Sequence, residues 1–134
     1  LHMTHFGNAM RPFHHREAGP IGWGLVRAGV SVDVIADLHH LSTEMLELVY
    51  RAKDPSRVAL ISDAAPAAGQ PDGAYTIWGE TLTLHGRAIR NASGALAGST
   101  SLLDQCVANL VSIGIAPELA EASASEVPRR ILEA

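Results

Sequence analysis

The sequence predicts an α/β fold built on a parallel sheet, and three observations carry that prediction. Two short runs, residues 30–36 (VSVDVIA) and 57–62 (RVALIS), are apolar almost throughout rather than alternating, as strands covered on both faces are. Each follows a segment of helical character, giving the order helix, strand, helix, strand that βαβ units require. Each also gives way abruptly to polar residues, Asp37-Leu38-His39-His40 after the first run and Asp63 after the second.

Taken in order, residues 1–5 read as the end of a further strand, leading straight into a loop over residues 6–19. Pro20 suits the first turn of a helix ending near Gly29, with Ile21, Leu25 and Val26 on one face. Ser42 is a good N-cap for a helix over residues 43–53, in which Met45, Leu46, Leu48, Val49 and Ala52 are the apolar positions. Asp54-Pro55 breaks that helix before the second apolar run. Residues 64–73 form a loop rich in Ala, Pro and Gly. Over residues 74–96, Tyr75, Ile77, Leu82 and Leu84 alternate with polar residues around turns at Gly79-Glu80 and Gly86-Arg87, which predicts a small antiparallel insertion. Gly98-Ser99-Thr100 is expected to cap a helix reaching about Ile113, with Leu102, Leu103, Cys106, Val107 and Leu110 on its buried side. Two short helices, over residues 117–124 and 126–132, complete the pattern. Trp23 and Trp78 are expected to be packing residues.

Bulk properties narrow the function. A chain of 134 residues fits one domain. Its net charge of −4, with no local basic patch, argues against a general nucleic-acid or anionic-membrane binder. The longest apolar stretches fall well short of the ~20 residues that span a bilayer, and residues 1–7 lack the basic start and apolar run of a secretory signal. The single cysteine, Cys106, allows no internal disulfide and fits a reducing, cytoplasmic setting. Aromatic residues make up only 4% of the chain, which carries seven histidines.

The polar residues matter by position. His5, His39-His40 and Asp63 all fall where an apolar strand gives way to a loop. In parallel α/β folds that carboxyl edge is where sites assemble, because successive strand ends bring their first loop residues to one mouth. Taken singly, each residue has a plainer reading. His5 can be a surface histidine, His39-His40 a solvated pair before a helix, and Asp63 the cap of a turn. Cys106, on an apolar helix face without a partner that would lower its pKa, reads as core rather than nucleophile. A closed barrel of eight such units needs about 250 residues, so any barrel to which this chain belongs is incomplete within it.

Short phrases are more specific than these positions. Thr4-His5-Phe6-Gly7-Asn8-Ala9-Met10 resembles the T-H-L-x-N-A-M segment of the N-acetylglucosamine-6-phosphate deacetylases of the amidohydrolase superfamily. His14-His15-Arg16-Glu17-Ala18-Gly19 resembles their H-H-R-E-P-G loop, and Ile35-Ala36-Asp37-Leu38-His39-His40 their I-A-D-G-x-H. Leu60-Ile61-Ser62-Asp63-Ala64 is similar to L-V-T-D-A, and Leu96-Ala97-Gly98-Ser99 matches a later L-A-G-S turn. The five motifs occur in order, and the likeness extends over essentially the whole chain.

The resemblance implies the C-terminal portion of a TIM (β/α)8 barrel, with residues 1–134 forming a partial amidohydrolase domain that lacks the first barrel strands and a small β-sandwich. It implies metal-dependent removal of acetate from N-acetylglucosamine 6-phosphate. His5 matches a ligand of the divalent metal, with zinc the first expectation and iron or cobalt the alternatives. Asp63 matches the catalytic aspartate that moves the proton, and His40 the histidine that polarises the acetamide carbonyl. Asn8, Ala9, Arg16, Ala97, Gly98 and Ser99 match substrate contacts, and Arg16 suits phosphate because its planar fork binds such oxygens bidentately. The matching arginine reaching a neighbouring subunit's site implies a functional homodimer. Three positions depart from the pattern: Gly7 stands for a large residue, Leu38 for a glycine, and Pro66 for a small residue. Another N-acyl amino sugar phosphate, such as the galactosamine isomer, is the alternative substrate, and an inactive fragment is the alternative from outside enzyme chemistry.

Overall fold

Val32, Val34, Val58 and Leu60 are all buried, and together they form the inner face of a three-stranded parallel sheet. The structure is a computed structural model that describes residues 1–133. The sheet has the order β1 (His2–Met3), β2 (Ser31–Ile35), β3 (Val58–Ile61). Val32 lies opposite Val58 and Val34 opposite Leu60, so alternate residues of each strand meet on one side, as the period of two demands. Onto that side pack Ile21 and Leu25 of α1 (Gly19–Val26), Leu46 and Val49 of α2 (Thr43–Ala52), and Cys106 and Leu110 of α3 (Leu103–Ser112). Each fully buried aliphatic side chain of this cluster contributes about 1.5–3 kcal/mol relative to exposure.

α2 starts where Ser42 is extended and its hydroxyl accepts from Met45 N at 3.2 Å, the N-cap that the sequence predicts. Its C-cap residue, Lys53, is buried, and Nζ donates to Gly24 O at 2.9 Å and Arg27 O at 2.7 Å. α1 has no basic residue in its own last turn, so the lysine ending one helix satisfies open carbonyls at the end of another. α4 (Pro117–Ala124) and α5 (Glu126–Leu132) follow α3, and their bounds coincide with the predicted ones. Tyr50 donates to Ser123 Oγ at 3.0 Å and ties α2 to α4, while burial raises the Tyr50 hydroxyl pKa to about 12.

A second sheet is antiparallel, in the order β4 (Gly73–Ile77), β5 (Glu80–His85), β6 (Ala88–Arg90), β7 (Leu96–Ser99). This is the predicted insertion. Leu82, Leu84 and Ile89 cover Ala65 and Ala67 of the preceding loop in a small separate core. The two sheets are joined at β7, where Ser99 pairs in parallel with Ala64.

Four expectations need correction. α1 ends at Val26 rather than near Gly29, and Val26 is 76% exposed, so Ile21 and Leu25 alone face inward. Within α2, Leu48 is exposed and Tyr50 takes a buried position instead. Gly98 and Ser99 belong to β7 and do not cap α3, whose N-cap position is Leu102 without a side-chain bond; Leu102 and Leu103 stand outside the core. Trp78 is 87% exposed at the β4–β5 turn, so it does not serve packing, and Trp23 is only partly covered. No helix among the described residues is long and apolar enough to cross a membrane.

Candidate active site

The segments that leave β1, β2 and β3 converge on one cleft of about 420 Å³, lined by His5, Asn8, Ala9, Ile35, His40, Asp63, Ala95, Leu96 and Gly98. The three strand ends singled out in the sequence therefore share a mouth, as the carboxyl edge of a parallel sheet brings about. Backbone strain gathers at the same place. Among the described residues, non-glycine positive φ occurs at His5 (35°), Ala9 (52°), Leu38 (63°), Asp63 (48°) and Trp78 (51°), and the first four lie at these strand ends. Left-handed backbone costs an L-residue about 1–2 kcal/mol, so it persists only where surrounding bonds over-determine it.

Those bonds can be named. At the end of β2, Asp37 is buried and its Oδ1 accepts from both His39 N and His40 N at 2.9 Å. Its Oδ2 lies 2.8 Å from His40 Nδ1. Burial pushes the Asp37 carboxyl up, but the His40 side chain, the two backbone N–H groups and the Ser99 hydroxyl outweigh burial and hold it well below the usual carboxylate range. An ionised Asp37 only accepts, so His40 Nδ1 carries a proton and Nε2 is the ring atom left for the cleft. Beneath this pair, Asn109 Nδ2 donates to Ala36 O at 2.8 Å, fixing α3 against the end of β2. Cys106 is buried there, and burial first, then the charge of Asp37, raises its thiol to about 11.

Asp63 is held through its backbone, with its carboxylate exposed. Ser99 N donates to Asp63 O at 2.7 Å, and Ala65 N donates to Ser99 O at 2.8 Å. Gly98 makes this approach possible: its φ is 94°, and a Cβ there would lie 3.1 Å from Asp63 O. On the β1 side, His5 Nδ1 and Asn8 Nδ2 are buried without a hydrogen-bond partner, both in the cleft wall. Gly7 also has positive φ (87°), and a Cβ would lie 2.9 Å from Leu41 Cδ2, which accounts for a glycine at this departure from the motif.

Not every residue that the sequence singled out lies here. His5, Asn8, Ala9, His40, Asp63 and Gly98 line the cleft. Arg16 does not: it is exposed in the loop of residues 11–18, with its N–H directed at His14 Nδ1 at 3.3 Å. Ala97 is outside the lining, and Ser99 is wholly buried, its Oγ accepting from Ser101 N at 3.0 Å. Sequence reasoning missed the anchoring role of Asp37 and, inside the first apolar run, Asp33. The available signal was a charged residue in the middle of an otherwise apolar strand.

His5 Nδ1, a buried nitrogen without a partner, fits a metal ligand. The described residues otherwise contain no group of three His, Cys, Asp or Glu side chains that could hold an ion, whereas a catalytic zinc commonly takes three protein ligands. His5 therefore fits one ligand position, and the described residues do not make a complete set.

Strand ends that bring a carboxylate-anchored histidine, a second histidine with an unsatisfied nitrogen, and an exposed aspartate to one cleft define an α/β protein with its cleft at the carboxyl edge of a parallel sheet. No family model matches the chain. It is 44% identical over 130 residues to a putative N-acetylgalactosamine-6-phosphate deacetylase of Escherichia coli K12, covering 96% of this chain and 77% of that protein. It is 43% identical over 132 residues to the N-acetylgalactosamine-6-phosphate deacetylase of Escherichia coli O157:H7, covering 97% of this chain and 34% of that one. The crystal structure of N-acetylglucosamine-6-phosphate deacetylase from Thermotoga maritima superposes with a TM-score of 0.92 at 34% identity, over 98% of this chain and 37% of that one. The chain belongs to the N-acetylhexosamine-6-phosphate deacetylase family, and it spans about a third of the length of the O157:H7 relative.

Proposed function

We propose that this chain supplies the acid–base and substrate-binding part of a deacetylase that hydrolyses N-acetylglucosamine 6-phosphate to glucosamine 6-phosphate and acetate. The observation that carries the reading is the convergence of His5, His40 and Asp63 on one cleft. Asp63, exposed at the cleft mouth, takes a proton from the attacking water and returns it to the departing sugar amine. His40 donates from Nε2 to the acetamide oxygen as it gains charge, with Asp37 as the counter-ion behind the ring. Donation from Nε2 while Nδ1 is held by Asp37 requires a proton on each ring nitrogen. Asn8 and the backbone at Ala9 and Gly98 contact the sugar.

His5 is the residue of this chain that would hold a divalent metal, with zinc first and iron or cobalt as alternatives. Such an ion supplies the positive charge that acidifies water and polarises an amide. The parallel sheet is proposed as the C-terminal portion of a TIM (β/α)8 barrel and residues 1–134 as a partial amidohydrolase domain, acting in the cytoplasm. Arg16, exposed and away from the cleft of its own chain, is proposed to bind the sugar phosphate across a homodimer interface.

N-acetylgalactosamine 6-phosphate is the second reading, favoured by the names of the two E. coli relatives and by Leu38 beside His40. The test is acetate release by the protein carrying this chain, measured with both phosphosugars and with unphosphorylated N-acetylglucosamine. Faster turnover of the glucosamine compound supports the first reading, and the reverse order selects the second. No release from either phosphosugar overturns both.

A further inference from the structure

Asp33 lies in the middle of β2, yet all its polar atoms are spent on β1 and its exit. The residue is buried, and Oδ2 sits 2.8 Å from His2 Nε2. Oδ1 accepts from His5 N in a short bond and from Thr4 Oγ1 at 3.4 Å. Its backbone oxygen accepts from Phe6 N at 2.8 Å. The last contact is one residue out of step. His2 pairs with Ser31, and Ser31 N donates to Leu1 O at 3.0 Å. Two residues further along both strands, an unbroken parallel ladder would bring His5 N, not Phe6 N, to Asp33 O. The extra residue is a bulge, a device that re-aims a side chain.

We infer that Asp33 is a positioning residue for His5. Its carboxylate takes the His5 N–H away from the ladder, so the chain leaves β1 after Met3, His5 adopts φ 35° and its ring enters the cleft wall. This rests on the reading of His5 as a functional cleft residue. His2 serves as the prop on the opposite carboxylate oxygen. Ser31, His2 and Asp33 are connected in the order of a nucleophilic triad, with Ser31 Oγ 3.0 Å from His2 Nδ1. Ser31 is buried, however, and its hydroxyl donates to Leu1 O at 3.3 Å, so the row is a support and not a nucleophile.

Amide NMR of the full chain tests the inference with Asp33→Ala, Asp33→Asn and His2→Gln. Hydrogen exchange at His5 N–H is expected to be roughly tenfold or more faster in Asp33→Ala, the loss of a bond to a charged acceptor. The strong intraresidue HN–Hα contact of positive φ should vanish with it. Asp33→Asn keeps an oxygen for His5 N–H and should restore both signals, and His2→Gln should leave both in place. Unchanged His5 exchange and φ in Asp33→Ala would overturn the inference, as would an equal loss in His2→Gln. If Asp33→Ala does not fold, Asp33→Val, which suits a buried strand but offers no acceptor, decides: loss of positive φ at His5 supports the role, and retained positive φ in the folded variant overturns it. Zinc added to the whole protein that carries this chain, where the remaining ligands are supplied, separates this from the functional reading. A His5 ring indifferent to zinc there, with its backbone still dependent on Asp33, would remove the metal role and leave the positioning role standing.

Discussion

Asp37 and His40 are joined twice: Oδ2 meets His40 Nδ1 at 2.8 Å and Oδ1 takes His40 N at 2.9 Å, and that same oxygen holds the intervening turn through His39 N at 2.9 Å. With side chains 1% and 6% exposed, neither partner has water as a substitute. This pair sets a pH dependence with a definite sign. The Asp37 carboxyl is depressed in the folded state despite burial, so it contributes stability that is present above its unfolded pKa of about 3.9 and lost as pH falls below it. Thermal melting of the chain should drop progressively below about pH 4–5. Asp37→Asn should melt lower at neutral pH, by about 1–3 kcal/mol for impaired buried bonds, but with a shallower loss in acid. Parallel acid limbs in the two proteins would show that Asp37 is not the titrating group.

Asp63→Asn should keep substrate affinity and lose about 10²–10⁴ in kcat, the usual worth of a positioned acid–base group. The backbone bonds that hold residue 63 come from Ser99 and do not involve its carboxylate, so the fold should survive the change. Steady-state acetate release and phosphosugar binding by the whole protein check it. Near-normal turnover would remove Asp63 from the chemistry.

Arg16→Ala should weaken the phosphorylated sugar selectively, by about 1.5–3 kcal/mol for a bond to a charged group. Unphosphorylated N-acetylglucosamine should be little affected. Because Arg16 lies outside its own chain's cleft, mixing Arg16→Ala with Asp63→Asn protein should recover part of the activity if the arginine serves a partner. Titration calorimetry with both sugars, and activity across the mixture, decide.

Leu38→Gly should stabilise the chain. Leu38 has φ 63° and is 39% exposed, so it bears left-handed strain of about 1–2 kcal/mol while burying little. The greater freedom of glycine in the unfolded chain offsets about 0.5–1 kcal/mol, leaving a rise in Tm of about 2–4 °C. A lower Tm would mean that the Leu38 side chain packs to more effect than its exposure implies.

Purified as these 134 residues, the chain should hold zinc only weakly, because His5 is the single fitting ligand of the cleft and the described residues contain no group of three. Elemental analysis after extensive dialysis should find well below one metal per chain. A stoichiometric, tightly held ion would mean that the ligand set has been misread.

Much of the sheet and its helices was legible because local signals agreed with tertiary demands. Ser42 caps as its chemistry requires, the runs around Val32 and Leu60 are buried strands, and Pro117 opens a helix. The convergence of His5, His40 and Asp63 was legible too, since a parallel sheet delivers strand ends to one edge. What escaped was set by partners distant in sequence. Asp33 looks like a blemish in an apolar run until β1 lies beside it, and Ser99 looks like a helix cap until Asp63 O is found 2.7 Å from its N–H. Leu102 and Leu103 fit a helical stripe in the sequence, but α3 begins only at Leu103 and its inward face starts lower, at Cys106. Trp78 was misread because hydrophobic character alone does not reveal a residue at the tip of a hairpin.

The meeting of β7 with Asp63 bears on modularity. The antiparallel sheet interrupts the parallel one in sequence and has a small core of its own, so it resembles an accessory that recombination or design could trim away. Its last strand nevertheless returns to bind Asp63 O and Ala65 N, the backbone on either side of Ala64. Shortening the hairpin at Trp78 is therefore compatible with the architecture, whereas excising the whole excursion removes the clamp along with the ornament. The two sheets are structurally coupled through the backbone of a serine whose side chain is shut off from solvent.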